Sequence, residues 1–166
     1  AQASKNAGAN FVLLGRTSLI PATKDWIGWS EEEIQAEKMA LRERMMEASS
    51  TGKVTMVDWN KAFDKMLRSR DVYQTISEIE STGNKAEYHS ADVTDVEKLE
   101  KIGGDLGSQI TGLVHGAGME DSKLVADKKN EIFDLTIRIK ADGWKAMLAA
   151  VKASGDEELR FAACFT

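Results

Sequence analysis

Four short runs rich in apolar, β-branched or aromatic residues most constrain how this chain can fold. They are Phe11-Val12-Leu13-Leu14, Ala86-Glu87-Tyr88-His89, Ile110-Thr111-Gly112-Leu113-Val114-His115 and Leu159-Arg160-Phe161-Ala162-Ala163-Cys164-Phe165. Sequence of helical period lies between each run and the next. Strands that alternate with helices predict βαβ units and a doubly wound, parallel α/β sheet. Parallel strands covered on both faces read as continuous apolar runs, and the first and last runs do.

The intervening segments carry helix signals. Thr94-Asp95-Val96-Glu97 reads as a capping box with Thr94 as the cap. Val96, Leu99, Ile102 and Leu106 form the predicted buried stripe, and Gly103-Gly104 weakens its last turns. A longer helix is predicted from about Lys128 to Lys152, burying Ile132, Leu135, Ile139 and Met147. Ser30 with Glu33 starts another helix, rich in charge and in Met39, Met45 and Met46. Val72, Ile76 and Ile79 give a further apolar face, and Gly83 marks its end.

One connection is out of proportion. From Arg16 to Lys85 is 69 positions, whereas βα and αβ loops usually take about 2–6 residues. A helical insertion over residues 19–82 is expected. Its Trp26, Trp29 and Trp59 and its methionines either pack a helical subdomain against the sheet or form a partner-docking surface.

The 166 residues include 27 acidic and 22 basic side chains, a net charge of −5. That balance argues against nucleic acid or an anionic membrane as partner, since both favour a basic stripe. Apolar residues at 42% and charged residues at 30% suit a globular chain with a core. No run of about 18 apolar residues is present to span a bilayer. The first residues, Ala1-Gln2-Ala3-Ser4-Lys5, lack the order of a signal peptide. The expectation is a soluble, cytoplasmic domain. Cys164 is the single cysteine, which excludes an internal disulfide and a multi-cysteine zinc site. With His89 and His115 the only histidines, no metal site is expected. Cys164, in an apolar strand, reads as an inert core thiol.

Several residues could carry chemistry. Gly15-Arg16-Thr17 follows the first strand, where a dinucleotide-binding sheet places an Arg against the 2′-phosphate of NADP; a plain surface arginine reads equally from position. Asp92, after the second strand, can accept from an exocyclic amine with Val93 against the ring, or can be a turn aspartate. His115-Gly116-Ala117-Gly118 ends the third strand with small residues that let a flat ligand approach. It lacks the third glycine of the dinucleotide fingerprint, since residue 121 is Asp. Lys140 interrupts the stripe Phe133, Ile137, Trp144. It is either a partly buried lysine that orients a cofactor or relays a proton, or a snorkelling one.

Taken together, Phe11-Val12-Leu13-Leu14-Gly15-Arg16-Thr17, Ala91-Asp92-Val93-Thr94-Asp95 and Gly112-Leu113-Val114-His115-Gly116-Ala117-Gly118 resemble the ketoreductase domain of modular polyketide synthases, within the short-chain dehydrogenase/reductase superfamily. Arg70-Asp71-Val72-Tyr73 and Glu80-Ser81-Thr82-Gly83-Asn84-Lys85-Ala86-Glu87-Tyr88 are similar to ketoreductases of polyunsaturated fatty acid synthases. The resemblance implies a Rossmann-like fold and NADPH-dependent reduction of a β-ketoacyl thioester, carried on an acyl carrier protein, to the β-hydroxyacyl product. It implies Gly15, Arg16 and Thr17 at the 2′-phosphate, Asp92 and Val93 at the adenine, His115, Gly116, Ala117 and Gly118 along the cofactor, and Lys140 as the active-site lysine. Partners implied are the acyl carrier protein and the other domains of the same synthase, with a homodimer compatible.

Against the family pattern, the chain is expected to start inside the helix that follows the pyrophosphate-binding turn, at Ala1 to Asn6. It is expected to stop about one residue short of the catalytic Ser. On that reading it is a partial domain, inactive alone. In the strand order 3-2-1-4-5-6 the first strand is central, so its absence is expected to leave two strand pairs. Either a further segment of the same domain joins them, or their edges reorganise or pair between chains. After Gly118, Met119-Glu120-Asp121-Ser122-Lys123-Leu124 departs from the signature used to assign product stereochemistry.

Overall fold

A computed structural model of the chain describes residues 8, 10–107, 110–119, 122, 124, 127, 129–155 and 159–165. The expected helix at Ala1 to Asn6, part of the segment after Gly118, and Lys128 and Thr166 lie outside the described residues. Two compact units divide the chain, residues 1–90 and 91–166.

The first unit holds strand β1 (Phe11–Gly15), a 3₁₀ turn (Pro21–Trp26), helices α1 (Glu31–Ala48) and α2 (Met56–Glu80), and strand β2 (Ala86–Ser90). β1 and β2 pair in parallel, Phe11 opposite Ala86 through Gly15 opposite Ser90. Ser30 and Glu33 start α1 as expected, and they do so as a capping box: Ser30 accepts from Glu33 N–H, and Glu33 accepts from Ser30 N–H. Thr55 caps α2 through Asp58 N–H. Gly83, at φ +82°, turns the chain out of α2 where a Cβ would be strained.

The segment between β1 and β2 has a core of its own. Trp26, Ile34 and Phe63 are buried together, with Trp29, Leu41, Met66 and Leu67 packed on them. Trp26 stacks on Trp29 at 5.3 Å between ring centroids. Trp59 donates from Nε1 to the Lys38 carbonyl at 2.8 Å, joining α2 to α1. The Lys38 ammonium lies over both the Trp59 and Phe63 rings. Thr23 and Ser69 are fully buried polar residues, hydrogen-bonded to each other at 2.8 Å, and Ile20 N–H donates to Ser69 Oγ at 2.7 Å. The tryptophans thus pack mainly within the helical segment, while α2 lies against β2. Met39 and Met46 are exposed, not core.

The second unit holds α3 (Val96–Asp105), β3 (Gly112–His115), α4 (Asn130–Ile137), a π-helical turn (Arg138–Asp142), α5 (Gly143–Ala153) and β4 (Phe161–Cys164). β3 and β4 pair in parallel, Gly112 opposite Phe161 through His115 opposite Cys164. The pairing in two parallel couples matches the expectation from the sequence.

Several local expectations change. The cap of α3 is Asp95, which accepts from Lys98 N–H, and not Thr94. Thr94 is instead drawn to Asp92, whose Oδ1 accepts from the Thr94 N–H and hydroxyl at 2.9 and 2.8 Å. Of the predicted stripe, Leu99 is fully buried but Val96 is exposed. Gly103 is a packing requirement, because a methyl group there would lie 2.1 Å from the Ala150 carbonyl oxygen of α5. The predicted helix from 128 to 152 is broken in character by the π turn. Leu135 is exposed and Met147 is buried. β4 is mostly exposed, including Phe161 and Cys164, because within its unit it pairs on one side with β3 only. Cys164 is therefore an exposed thiol and not a core one. Val12 in β1 is likewise exposed.

Candidate functional site

The candidate residues fall into two groups, one in each unit, and both lie at the C-terminal ends of parallel strands. Open α/β sheets bind ligands at that end, because loops and helix N-termini converge there.

In the first unit, Gly15 ends β1 and delivers Arg16 and Thr17. Arg16 is exposed and Thr17 half-buried. The turn is held from β2: the Tyr88 hydroxyl donates to the Thr17 carbonyl at 2.8 Å. A methyl group at Gly15 would lie 2.9 Å from that hydroxyl oxygen, so glycine leaves the space the phenol occupies. Burial pushes the Tyr88 phenol above its ordinary value of 10.0, which keeps its proton on for the bond. Sequence reasoning does not single out Tyr88 as a site residue. Its place in strand β2 is legible, but its reach across to the end of β1 is not. A cleft of about 440 Å³ opens beside the turn, lined by Arg16, Thr17 and Ser18 together with Lys61, Asp64, Lys65 and Arg68 of α2.

In the second unit, Asp92 and Val93 follow the Ala91 that opens it. Asp92 is the acceptor of a turn with Thr94, as above. Val93 packs on α5: a methyl group at Gly143 would lie 3.0 Å from Val93 Cγ1 and 3.3 Å from His115 Cε1. His115 ends β3 and is 1% exposed, with Nε2 at 3.1 Å from the Ile139 carbonyl oxygen in the π turn. Its ring lies 6.3 Å from that of Trp144. Gly116 faces open space, and Ala117 is exposed.

Lys140 sits in the π turn, a distortion frequent at functional sites. Phe133 and Ile137, expected beside it in an apolar stripe, are exposed. The Lys140 ammonium donates to the Phe165 carbonyl, just past β4. Phe165 N–H in turn donates to the His115 carbonyl at 3.0 Å. Gly118 completes the group, since a methyl group there would lie 2.9 Å from Lys140 Cε and 3.0 Å from Nζ. The structure therefore brings together Val93, His115, Gly118 and Lys140, with Phe165 as a partner that the sequence does not single out. A broader cleft of about 1000 Å³, lined along α5 by Lys145, Leu148 and Lys152, lacks these residues. Among the described residues, no three His, Cys, Asp or Glu side chains gather to hold a metal ion.

The model of the KR domain family matches residues 5–166. The chain belongs to that family, the ketoreductase domains of the short-chain dehydrogenase/reductase superfamily. This KR-family chain is also similar to a polyunsaturated fatty acid synthase subunit of Thraustochytrium sp. (strain ATCC 26185 / S-3), with 28% identity over 151 residues, taking in 87% of this chain. The chain spans 5% of the length of that relative. Among solved structures, a short chain dehydrogenase from Burkholderia cenocepacia J2315 in complex with NADP superposes with a TM-score of 0.47 at 14% identity, over 96% of this chain and 56% of that one. No helix among the described residues of the KR-family chain is long and apolar enough to cross a membrane.

Proposed function

We propose that this KR-family chain is part of an NADPH-dependent β-ketoacyl reductase of a cytoplasmic, multidomain synthase, acting on a thioester held by an acyl carrier protein. The observation that carries the reading is the placement of Lys140, tied to the Phe165 carbonyl at the C-terminal end of β4 and flush against Gly118. An ammonium held at a strand end, beside a loop of small residues, suits a flat cofactor and a proton relay.

The residues present fit the cofactor. Gly116 leaves open space at the end of β3, and the cleft at Arg16 offers cationic side chains to a phosphate. NADPH, when bound, supplies the hydride. Arg16 holds the 2′-phosphate through its planar fork, with Gly15 and Thr17 shaping the turn. Asp92 and Val93 would take the adenine, and His115, Gly116, Ala117 and Gly118 would line the cofactor. Lys140 holds its ammonium where it orients the cofactor and supports proton delivery to the developing alkoxide.

The test is a fluorescence titration of the complete protein with NADPH and NADH, wild type against Arg16→Ala. Loss of a charge-assisted phosphate contact, about 1.5–3 kcal/mol, weakens NADPH and leaves NADH nearly unchanged. A well-folded wild type that binds neither nucleotide overturns the reading.

A further inference from the structure

The cleft beside Arg16 has a second wall that the family resemblance does not supply. Lys61, Asp64, Lys65 and Arg68 lie on α2, at spacings that put them on one helical face. All four are exposed, while Phe63 on the other side of α2 is buried. With Arg16, the cleft therefore presents four cations against the single carboxylate of Asp64. None of the four cations forms an ion pair among the described residues, although Arg70, just beyond, is paired with Asp71. Like charges gathered without partners repel one another, and a bound polyanion relieves that repulsion. At about 440 Å³, the cleft is within the range of small-molecule sites, roughly 300–1000 Å³.

We infer that the α2 face Lys61, Lys65 and Arg68 forms, with Arg16, a composite site for a phosphate monoester, and that this helical segment thereby sets the preference for NADPH over NADH. The inference rests on the proposed reductase function, which makes the 2′-phosphate of NADPH the ligand. Arg16 supplies the oriented fork at the strand end. The α2 cations supply a local field that favours the doubly charged 2′-phosphate, because NADH carries only a neutral hydroxyl at that position. Asp64 opposes that field, so its neutralisation works in the opposite direction.

The experiment measures NADPH and NADH affinity of the complete protein at low and moderate salt, for wild type, Lys61→Ala, Lys65→Ala, Arg68→Ala, the triple variant and Asp64→Asn. These side chains are exposed, so circular dichroism is expected to show folded variants. Each single loss of charge is expected to weaken NADPH about two- to fivefold, the range of exposed charge pairs, and the triple variant to weaken it by tens of fold. NADH binding stays unchanged. The salt dependence of NADPH binding flattens in the triple variant, since screening then has less to act on. Asp64→Asn tightens NADPH about twofold. Wild-type binding of NADPH with an unaltered triple variant overturns the inference and leaves the reductase reading standing. Equal losses for NADPH and NADH also overturn it, as they mark a structural role. A folded wild type that binds neither nucleotide overturns both.

Discussion

Tyr88 of β2 donates its phenolic hydrogen to the main-chain carbonyl of Thr17 at 2.8 Å, so the second strand of the pair holds the turn that ends the first. The bond spans 71 residues of sequence, and the whole helical segment lies between its partners. It sets the direction in which Arg16 leaves the strand.

Stability should therefore depend on the Tyr88 proton. Burial raises the phenol above 10.0, so the folded state favours the protonated form. Its contribution is complete below pH 10 and is lost as pH rises through the folded-state value. Tyr88→Phe is expected to cost about 1 kcal/mol at neutral pH, with weaker NADPH binding because the Arg16 turn loosens. The difference in stability between wild type and variant, followed by urea melts, should shrink above pH 10. A difference that stays level to pH 11 contradicts the assignment.

Adjacent glycines in α3 should behave oppositely. A methyl group at Gly103 meets backbone atoms of Ala150, at 2.1 Å from its oxygen and 2.8 Å from its carbonyl carbon, which cannot turn aside. At Gly104 the nearest atom is the Ala153 oxygen at 3.8 Å. Gly103→Ala is expected to separate α3 from α5 and cost about 1–3 kcal/mol or more. Gly104→Ala should gain up to about 1 kcal/mol of helix propensity. Thermal melts of the two variants decide it, and equal destabilisation would count against the packing role.

That pair shows where the sequence is legible and where it is not. Period and propensity locate all four strands and the helices between them, because local patterns report local structure. They assign both α3 glycines to helix weakening, since nothing local marks the one that faces α5. Thr94 reads as a cap for the same reason: Asp92, two residues earlier, competes for its hydroxyl. For the proposed site, strand ends point to Arg16, Asp92, His115 and Gly118. Tyr88 and the Phe165 carbonyl require the pairing of strands, which spacing does not encode. The α2 cations are visible as a helical face at 61, 65 and 68, but their proximity to Arg16 is not. Lys140 stands out in the sequence through an apolar stripe whose Phe133 and Ile137 the structure leaves exposed; the π turn and its bond to Phe165 are what place it.

His115 should act through that π turn. Its Nε2 meets the Ile139 carbonyl oxygen, while its buried Nδ1 has no hydrogen-bond partner among the described residues. His115→Phe keeps an aromatic ring, removes the bond, and also removes the unsatisfied nitrogen. The two effects oppose each other at about 1–2 kcal/mol each, so net stability should change little. Turnover of a β-ketoacyl thioester by the complete protein should fall while KM for the thioester holds, because Lys140 follows the turn. A large loss of stability with unchanged kcat would assign His115 to packing alone.

Gly118 and Lys140 should form a coupled pair. The atoms that a Gly118 methyl group would meet are Cε and Nζ, the far end of a flexible side chain. The lysine can give way, so Gly118→Ala should shift stability by no more than about 0.5 kcal/mol. Giving way means leaving the Phe165 carbonyl, which displaces the ammonium from the place where the proposed relay needs it. Turnover by the complete protein is then expected to fall about 10- to 100-fold, within the range of a lost general acid–base contribution. Lys140→Met should produce a loss of similar size with the fold intact. The double variant should be no slower than Lys140→Met alone, because the methyl group has no ammonium left to displace. Additive losses would mean that Gly118 acts on the cofactor directly and not through Lys140. NADPH affinity of Gly118→Ala separates the same two cases: it holds near wild type if the lysine is the route, and falls if the methyl group obstructs the proposed cofactor contact of Gly118 itself.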